Sequence, residues 1–437
     1  MKTPFLRLVA LTVFCAPFVA AQPIDDTQLK QVIIFGRHGV RSPVVPNSVL
    51  NNFSVQPFPL FSSTDANLTI NGGKNETLLG SYYRLWLTKE GLLTGNDSAD
   101  SAFTYFRANG APLITDTAKA FAAGMLPAAS IDLNAYPPQG SDPLFVPVAA
   151  GVAQLDARMA TAAVNGRLGG NPQSLASAYA AELALTRSIL FNYPAGQAPV
   201  PATPPGKVDV TTLPITLGAG SAGSPVGLGG FAEVIYAIDP FVMEYADGLP
   251  SADVGWGQLT AGGINQITRL YNLALDLEYR TPYLAGVQSS NLASHVMRSM
   301  LQSATGNAMT GALGNPSTKV IVLMAANTNI TGFAGLFHLD WVLPGYQQDV
   351  AAPGGALVFE LRQSQRTGEY FVRTTYVTQT MDQLRNRTVL TLDAPPAIAP
   401  VFVPGCSLRN ATFDCPLAAF VSVARHAIDR QSVDLKN

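Results

Sequence analysis

The chain has 437 residues, of which 47% are hydrophobic and 13% charged, with a formal net charge of −2. That is enough apolar material for one large core or two smaller ones, and without a basic stripe nothing points to a nucleic-acid partner. Mean hydropathy is +0.19, yet past the N-terminus no apolar run reaches the roughly 18 residues that a membrane span needs.

The first segment reads as a secretory signal peptide over 1–21. Lys2 and Arg7 form a basic head, Leu8 to Val19 an apolar stretch, and Val19-Ala20-Ala21 a small-residue cleavage site. The mature chain is therefore expected to start at Gln22. It should be secreted or periplasmic, with no membrane insertion after signal removal. Cys15 falls inside this segment, and Phe14 before it is too large for a lipoprotein box. The remaining Cys406 and Cys415, in "GCSLRNATFDCP", are expected to form one disulfide in an oxidising compartment. Asn-x-Ser/Thr sequons at Asn52, Asn67, Asn75, Asn96, Asn329, Asn386 and Asn410 carry little weight, because such triplets arise often by chance.

The apolar run Val32–Phe35, bounded by Gly36, predicts a short buried strand. Thr69 to about Leu93 has helical periodicity. "AFTYF" (102–106) and "SIDLNAY" (130–136) read as strands, and Asp116–Leu126 as a helix capped by Asp116 or Thr115. Between about 151 and 284 strand signals fade. "PQSLASAYAAELALTRSILF", "FAEVIYAIDPFVMEYADG" and "TAGGINQITRLYNLALDLEY" are helical, with a kink or break expected at Pro240. A Pro/Gly-rich connector, 194–207, lies between the first two. Strands return with "KVIVLMA" (319–325), "GALVFELR" (355–362) and "EYFVRTTYVTQT", and 416–428 closes the chain as a helix. The expected fold class is α/β: a large α/β domain with a central mixed sheet flanked by helices (22–150 and 285–437, discontinuous), plus a smaller inserted helical domain (151–284).

The stretch "FGRHGVRSP" ends the first strand with Arg37 and Arg41 around His38. Two guanidiniums are fixed cations with planar donor forks, suited to phosphate or carboxylate. An imidazole between them can attack phosphorus, and Gly36 and Gly39 let the backbone turn tightly near an anion. Ligands of open α/β sheets bind at the carboxyl ends of strands. The alternative is a solvated surface loop, which leaves the specification at a strand end unexplained.

"RHGVRSP" resembles the signature of the histidine acid phosphatases, in the branch of bacterial phytases and glucose-1-phosphatases. "AFAAGMLP" (120–127), "GWGQL" (255–259), "NTNITGFAGLFHLDWVLPG" (327–345), "PGGALVFELR" (353–362), "QTMDQLRN" (379–386) and the Cys406–Cys415 loop are similar to family segments in the family's order. The resemblance implies a large α/β domain beside a smaller helical one, with the active site between them. It implies that His38 is the nucleophile, that Arg37 and Arg41 hold phosphate, and that no metal or organic cofactor is needed. The Cys406–Cys415 pairing matches a family disulfide.

Two departures stand out. Where the family has His-Asp after the strand, with the His on phosphate and the Asp protonating the leaving group, this chain has Ala326-Asn327. Asn donates a hydrogen bond but gives up no proton near neutral pH. By spacing, Leu113 takes the place of a phosphate-gripping Arg before "AFAAG"; Arg107 is the nearest substitute. Asn327 is kept as a substrate-binding candidate, together with Glu244 in "FVMEYADG", on the segment that lines the family's pocket. Asp116 is a further carboxyl near the third element. His295, His338 and His426 read as structural. The expected partner is a phosphorylated small molecule. The competing readings are a phosphomonoesterase weakened at its second motif, a catalytically inactive relative that binds a phosphate ligand, and a structural secreted protein without phosphate chemistry. Neither the substrate nor the oligomeric state is legible.

Overall fold

The computed structural model describes residues 25–137, 140–220 and 226–436; the expected signal peptide lies outside the described residues. Nine strands are found among them: β1 (Thr27–Arg37), β2 (Thr104–Ala108), β3 (Thr216–Ala219), β4 (Val226–Gly229), β5 (Val320–Ala325), β6 (Ala356–Ser364), β7 (Tyr370–Thr378), β8 (Ala397–Pro400) and β9 (Cys415–Pro416). β3 and β4 form a separate hairpin. The others form a 7-stranded sheet in the order β2-β5-β1-β6-β7-β8, with β9 pairing with β7. β2, β5 and β1 run parallel, while β6 runs antiparallel to β1, so the sheet is mixed.

β1 is unbroken in its apolar run because both faces of the sheet are covered. Its alternate residues enter different cores. Ile33 and Phe35 pack with Leu292, Val296 and Phe333 on one face. Val32 and Ile34 pack with Leu79, Tyr83 and Phe121 on the other. The second face is covered by the helices Ile70–Lys89 and Pro112–Met125. They approach closely through glycine: a Cβ on Gly80 would stand 2.1 Å from the Phe121 carbonyl oxygen, and one on Gly124 1.9 Å from that of Thr77. A third core gathers Leu183, Val234, Phe241, Ile267 and Leu277 from the middle of the chain, and Leu50, Phe53 and Phe58 from before it join that core.

Several local expectations fail for identifiable reasons. "SIDLNAY" forms no strand; Asn134 takes a left-handed conformation with φ 44°, and its side-chain amide, rather than a backbone ladder, caps the Phe106 carbonyl at 2.9 Å. The Pro112–Met125 helix starts before Thr115, with Pro112 at its first position and Ala111 at its N-cap. Pro240 does not interrupt Phe231–Asp247. A proline inside a helix costs about 3 kcal/mol, but Ala237, Ile238 and Phe241 around it are fully buried, and their packing outweighs the loss. Nothing in the sequence signals the β3–β4 hairpin in the helical middle, or the 24-residue helix Pro282–Thr305 as a continuous element. Cys406 and Cys415 are joined by a disulfide.

Candidate active site

The parallel pairing of β1 with β5 sets Arg37 opposite Ala325 at their carboxyl ends. The His38 amide then donates to the Ala325 carbonyl at 2.9 Å. Directly after β5 begins the helix Asn327–Phe337, with Ala326 as its N-cap. The Arg37–Arg41 loop and the positive end of a helix dipole therefore lie at one edge of the sheet.

Arg37, His38 and Arg41 are all 4% exposed. The Arg37 guanidinium donates to the Ala351 carbonyl at 2.5 Å, and its Nε is buried without a partner. His38 Nδ1 lies 2.9 Å from the Gly39 carbonyl. A carbonyl can only accept, so Nδ1 carries the proton and Nε2 keeps its lone pair. Burial, followed by the charges of Arg37 and Arg41, holds the His38 pKa well below its ordinary value. The shift favours the neutral imidazole, whose Nε2 lone pair is then available as a nucleophile.

Arg41 forms a buried bidentate pair with Asp239, at 2.9 and 3.0 Å. Asn327 donates through Nδ2 to the Tyr271 hydroxyl at 2.9 Å. Asp239 and Tyr271, with Arg37 and Tyr346, line one open cavity. His38, Arg41 and Asn327 are not part of that wall: Arg41 and Asn327 bond to it through Asp239 and Tyr271 respectively, and His38 follows the wall residue Arg37 directly in sequence. Burial is the main reason the Tyr271 hydroxyl titrates above its ordinary value, with Asp239 adding to the effect and Arg37 and Arg41 opposing it.

The expected residues do not all converge. Glu244 is fully buried and absent from the cavity wall; it accepts from the Gly255 amide at 2.9 Å. Five positions along from Asp239, it faces another side of the same helix. The helical segment does line the cavity, but through Asp239, Val242 and Met243. Arg107 is committed to buried Asp142, at 2.8 Å. Leu113 packs on the sheet core. Asp116 pairs with Lys119 on the surface. His295 bonds the Asp434 carbonyl at 2.9 Å, and His426 that of Ser422 at 2.7 Å. His338 ends the Asn327–Phe337 helix in a left-handed conformation. Among the described residues no group of three His, Cys, Asp or Glu side chains could hold a metal ion.

Sequence reasoning missed Asp239, Tyr271 and Glu76. The Glu76 carboxyl lies under the loop: a Cβ on Gly39 would stand 2.8 Å from its Oε1, and one on Gly354 2.6 Å. Gly354 in turn donates to the His38 carbonyl at 3.1 Å. Glu76 is 1% exposed, its Oε2 lacks a hydrogen-bond partner, and burial pushes its pKa up to about 8. In the sequence each of these residues is one more member of an amphipathic helix. Their spacing gives no signal.

An α/β fold with a cationic, imidazole-bearing loop at the carboxyl edge of its sheet has the build of a phosphatase. No family model matches the chain. It is 28% identical over 429 residues to a phytase of Escherichia coli, covering 97% of each chain. It is 24% identical over 443 residues to a glucose-1-phosphatase of Providencia rettgeri, covering 98% of this chain and 100% of that one. A Hafnia alvei phytase in complex with tartrate superimposes with a TM-score of 0.83 at 28% identity, over 94% of this chain and 99% of the other. The Citrobacter braakii phytase gives 0.82 at 26%, over 93% and 99%. These relatives and neighbours agree with the resemblance to the histidine acid phosphatases.

Proposed function

We propose that this chain is an exported phosphomonoesterase, related to phytases and sugar phosphatases, that works through a phosphohistidine on His38. The observation that carries the proposal is the orientation of the His38 ring, with Nδ1 donating to the Gly39 carbonyl and Nε2 left free, buried on the same loop as Arg37 and Arg41. In this reading Nε2 attacks phosphorus while Arg37 and Arg41 neutralise the phosphoryl oxygens. The P–O bond to the alcohol breaks, and the departing oxygen takes its proton from water. Water then attacks phosphorus, the P–N bond breaks with its electron pair returning to Nε2, and the proton that this water loses neutralises the hydroxide left by the first step, releasing inorganic phosphate and neutral His38.

Asn327 supplies hydrogen bonds but no proton, and absence of a general acid costs about 10²–10⁴ in rate. Slow turnover is therefore expected. A second reading, a catalytically inactive relative that binds a phosphate ligand, is favoured by Ala326-Asn327 and by the engagement of Arg41 with Asp239.

The test is phosphate release from p-nitrophenyl phosphate between pH 3 and 7, for the mature protein, His38→Ala, and Ala326→His combined with Asn327→Asp. Turnover abolished by His38→Ala supports the enzyme. An inactive parent beside an active double variant overturns it in favour of the binding protein.

A further inference from the structure

Beyond the reaction type, the cavity carries information on the alcohol half of the substrate, provided that the hydrolase reading holds. Among the described residues lining the cavity, the only charged side chains are Arg37 and Asp239. Asp239 is already neutralised by Arg41, at 2.9 and 3.0 Å. The wall itself offers a single cation, Arg37, which with Arg41 behind it can meet one phosphoryl dianion and no more. The remainder of the wall is largely apolar. Ile238, Val242 and Met243 come from the helix that bears Asp239; Ile264 and Met381 face the same space. Tyr271 and Tyr346 add two ring surfaces.

We infer that the site takes the phosphate monoester of an apolar or aromatic alcohol, and that it discriminates against inositol polyphosphates. An inositol polyphosphate would set further dianionic groups against a wall that offers them no second cation, only the neutral side chains of Asn265, Thr268 and Asn272 among aliphatic ones. An apolar ring loses nothing there and gains contact with the tyrosines and aliphatic residues. A separate observation agrees. Asn327, at the start of its helix and bonded to Tyr271, gives no proton to a departing alkoxide. A phenol leaves as a stable anion and needs none. In the step itself the P–O bond breaks with its electron pair going to the phenolate oxygen, while His38 Nε2 bonds phosphorus.

The experiment compares kcat/KM of the mature protein for phenyl phosphate, 1-naphthyl phosphate, glucose 1-phosphate and myo-inositol hexakisphosphate. Naphthyl phosphate is expected to exceed the hexakisphosphate by about 10² or more. Its KM is expected to fall below that of phenyl phosphate severalfold, at about fourfold per methylene equivalent buried. Val242→Lys and Met381→Lys, each of which puts a cation into the apolar wall, should shift the ratio toward the hexakisphosphate by about tenfold. Equal or better turnover of the hexakisphosphate overturns the inference while leaving the hydrolase reading intact, and so does a ratio that neither folded lysine variant moves. If no ester turns over, the hydrolase reading fails. The calorimetric affinity order of the same ligands then decides the cavity's preference, and tighter binding of the hexakisphosphate refutes it.

Discussion

Replacing Glu76 with Gln should flatten the dependence of stability on pH. The carboxyl is 1% exposed beneath Gly39 and Gly354, and burial raises its pKa from 4.5 to about 8. A raised carboxyl pKa means that the folded state prefers the protonated form. Stability is therefore complete below the unfolded pKa, declines as pH rises, and levels off above the folded one. Each pH unit in that window costs about 1.4 kcal/mol. Between pH 4.5 and 7 the loss reaches about 3 kcal/mol, a large share of the stability of an ordinary domain. Gln cannot ionise, so Glu76→Gln should lack this slope whatever the amide costs in absolute terms. The assay is urea unfolding of parent and variant at both pH values. The difference in unfolding free energy, variant minus parent, should rise by about 3 kcal/mol from the lower pH to the higher. A rise below about 0.5 kcal/mol, the size of an ordinary surface effect, would refute the assignment of a buried, proton-bearing carboxyl under the Arg37–Arg41 loop.

The ion pairs give further expected outcomes. Asp239→Asn leaves Arg41 buried without its anion, so the ligand-free protein should lose about 3–5 kcal/mol. Arg41 then becomes available to phosphate, and inorganic phosphate should raise the Tm of the variant more than that of the parent; an equal rise would show that Arg41 does not face the anion. Arg107→Leu strands the fully buried Asp142, and a similar loss of stability is expected from urea unfolding. Because Arg107 lies outside the cavity wall, KM for p-nitrophenyl phosphate should hold; a large rise would bring Arg107 back as a phosphate ligand.

What the sequence determined is what local chemistry encodes. A run covered on both faces reads as a buried strand, so β1 and β5 were legible, although β1 extends further at both ends. The loop after β1 was legible because guanidinium and imidazole at a strand end admit few uses. The helical pattern from Thr69 was legible too, and the structure makes Thr69 its N-cap, with the hydroxyl accepting from the Gly72 amide at 2.8 Å. The two mature cysteines had one partner each to choose.

Tertiary structure decided which side chains meet. Asp239 reaches Arg41 across 198 positions, and Tyr271 reaches Asn327 across 56; a helical period fixes a face but not what that face meets. Glu244 shares a helix with Asp239, yet their spacing turns it away from the cavity, so the sequence pointed to the helix but not to the carboxyl that lines the cavity. Pro240 reads as a break, but packing on all sides kept the helix whole. Whether a charged residue is a solvated cap, a structural partner or a member of the site depends on what long-range packing brings within a few ångströms and shields from water. Sequence spacing carries no record of that.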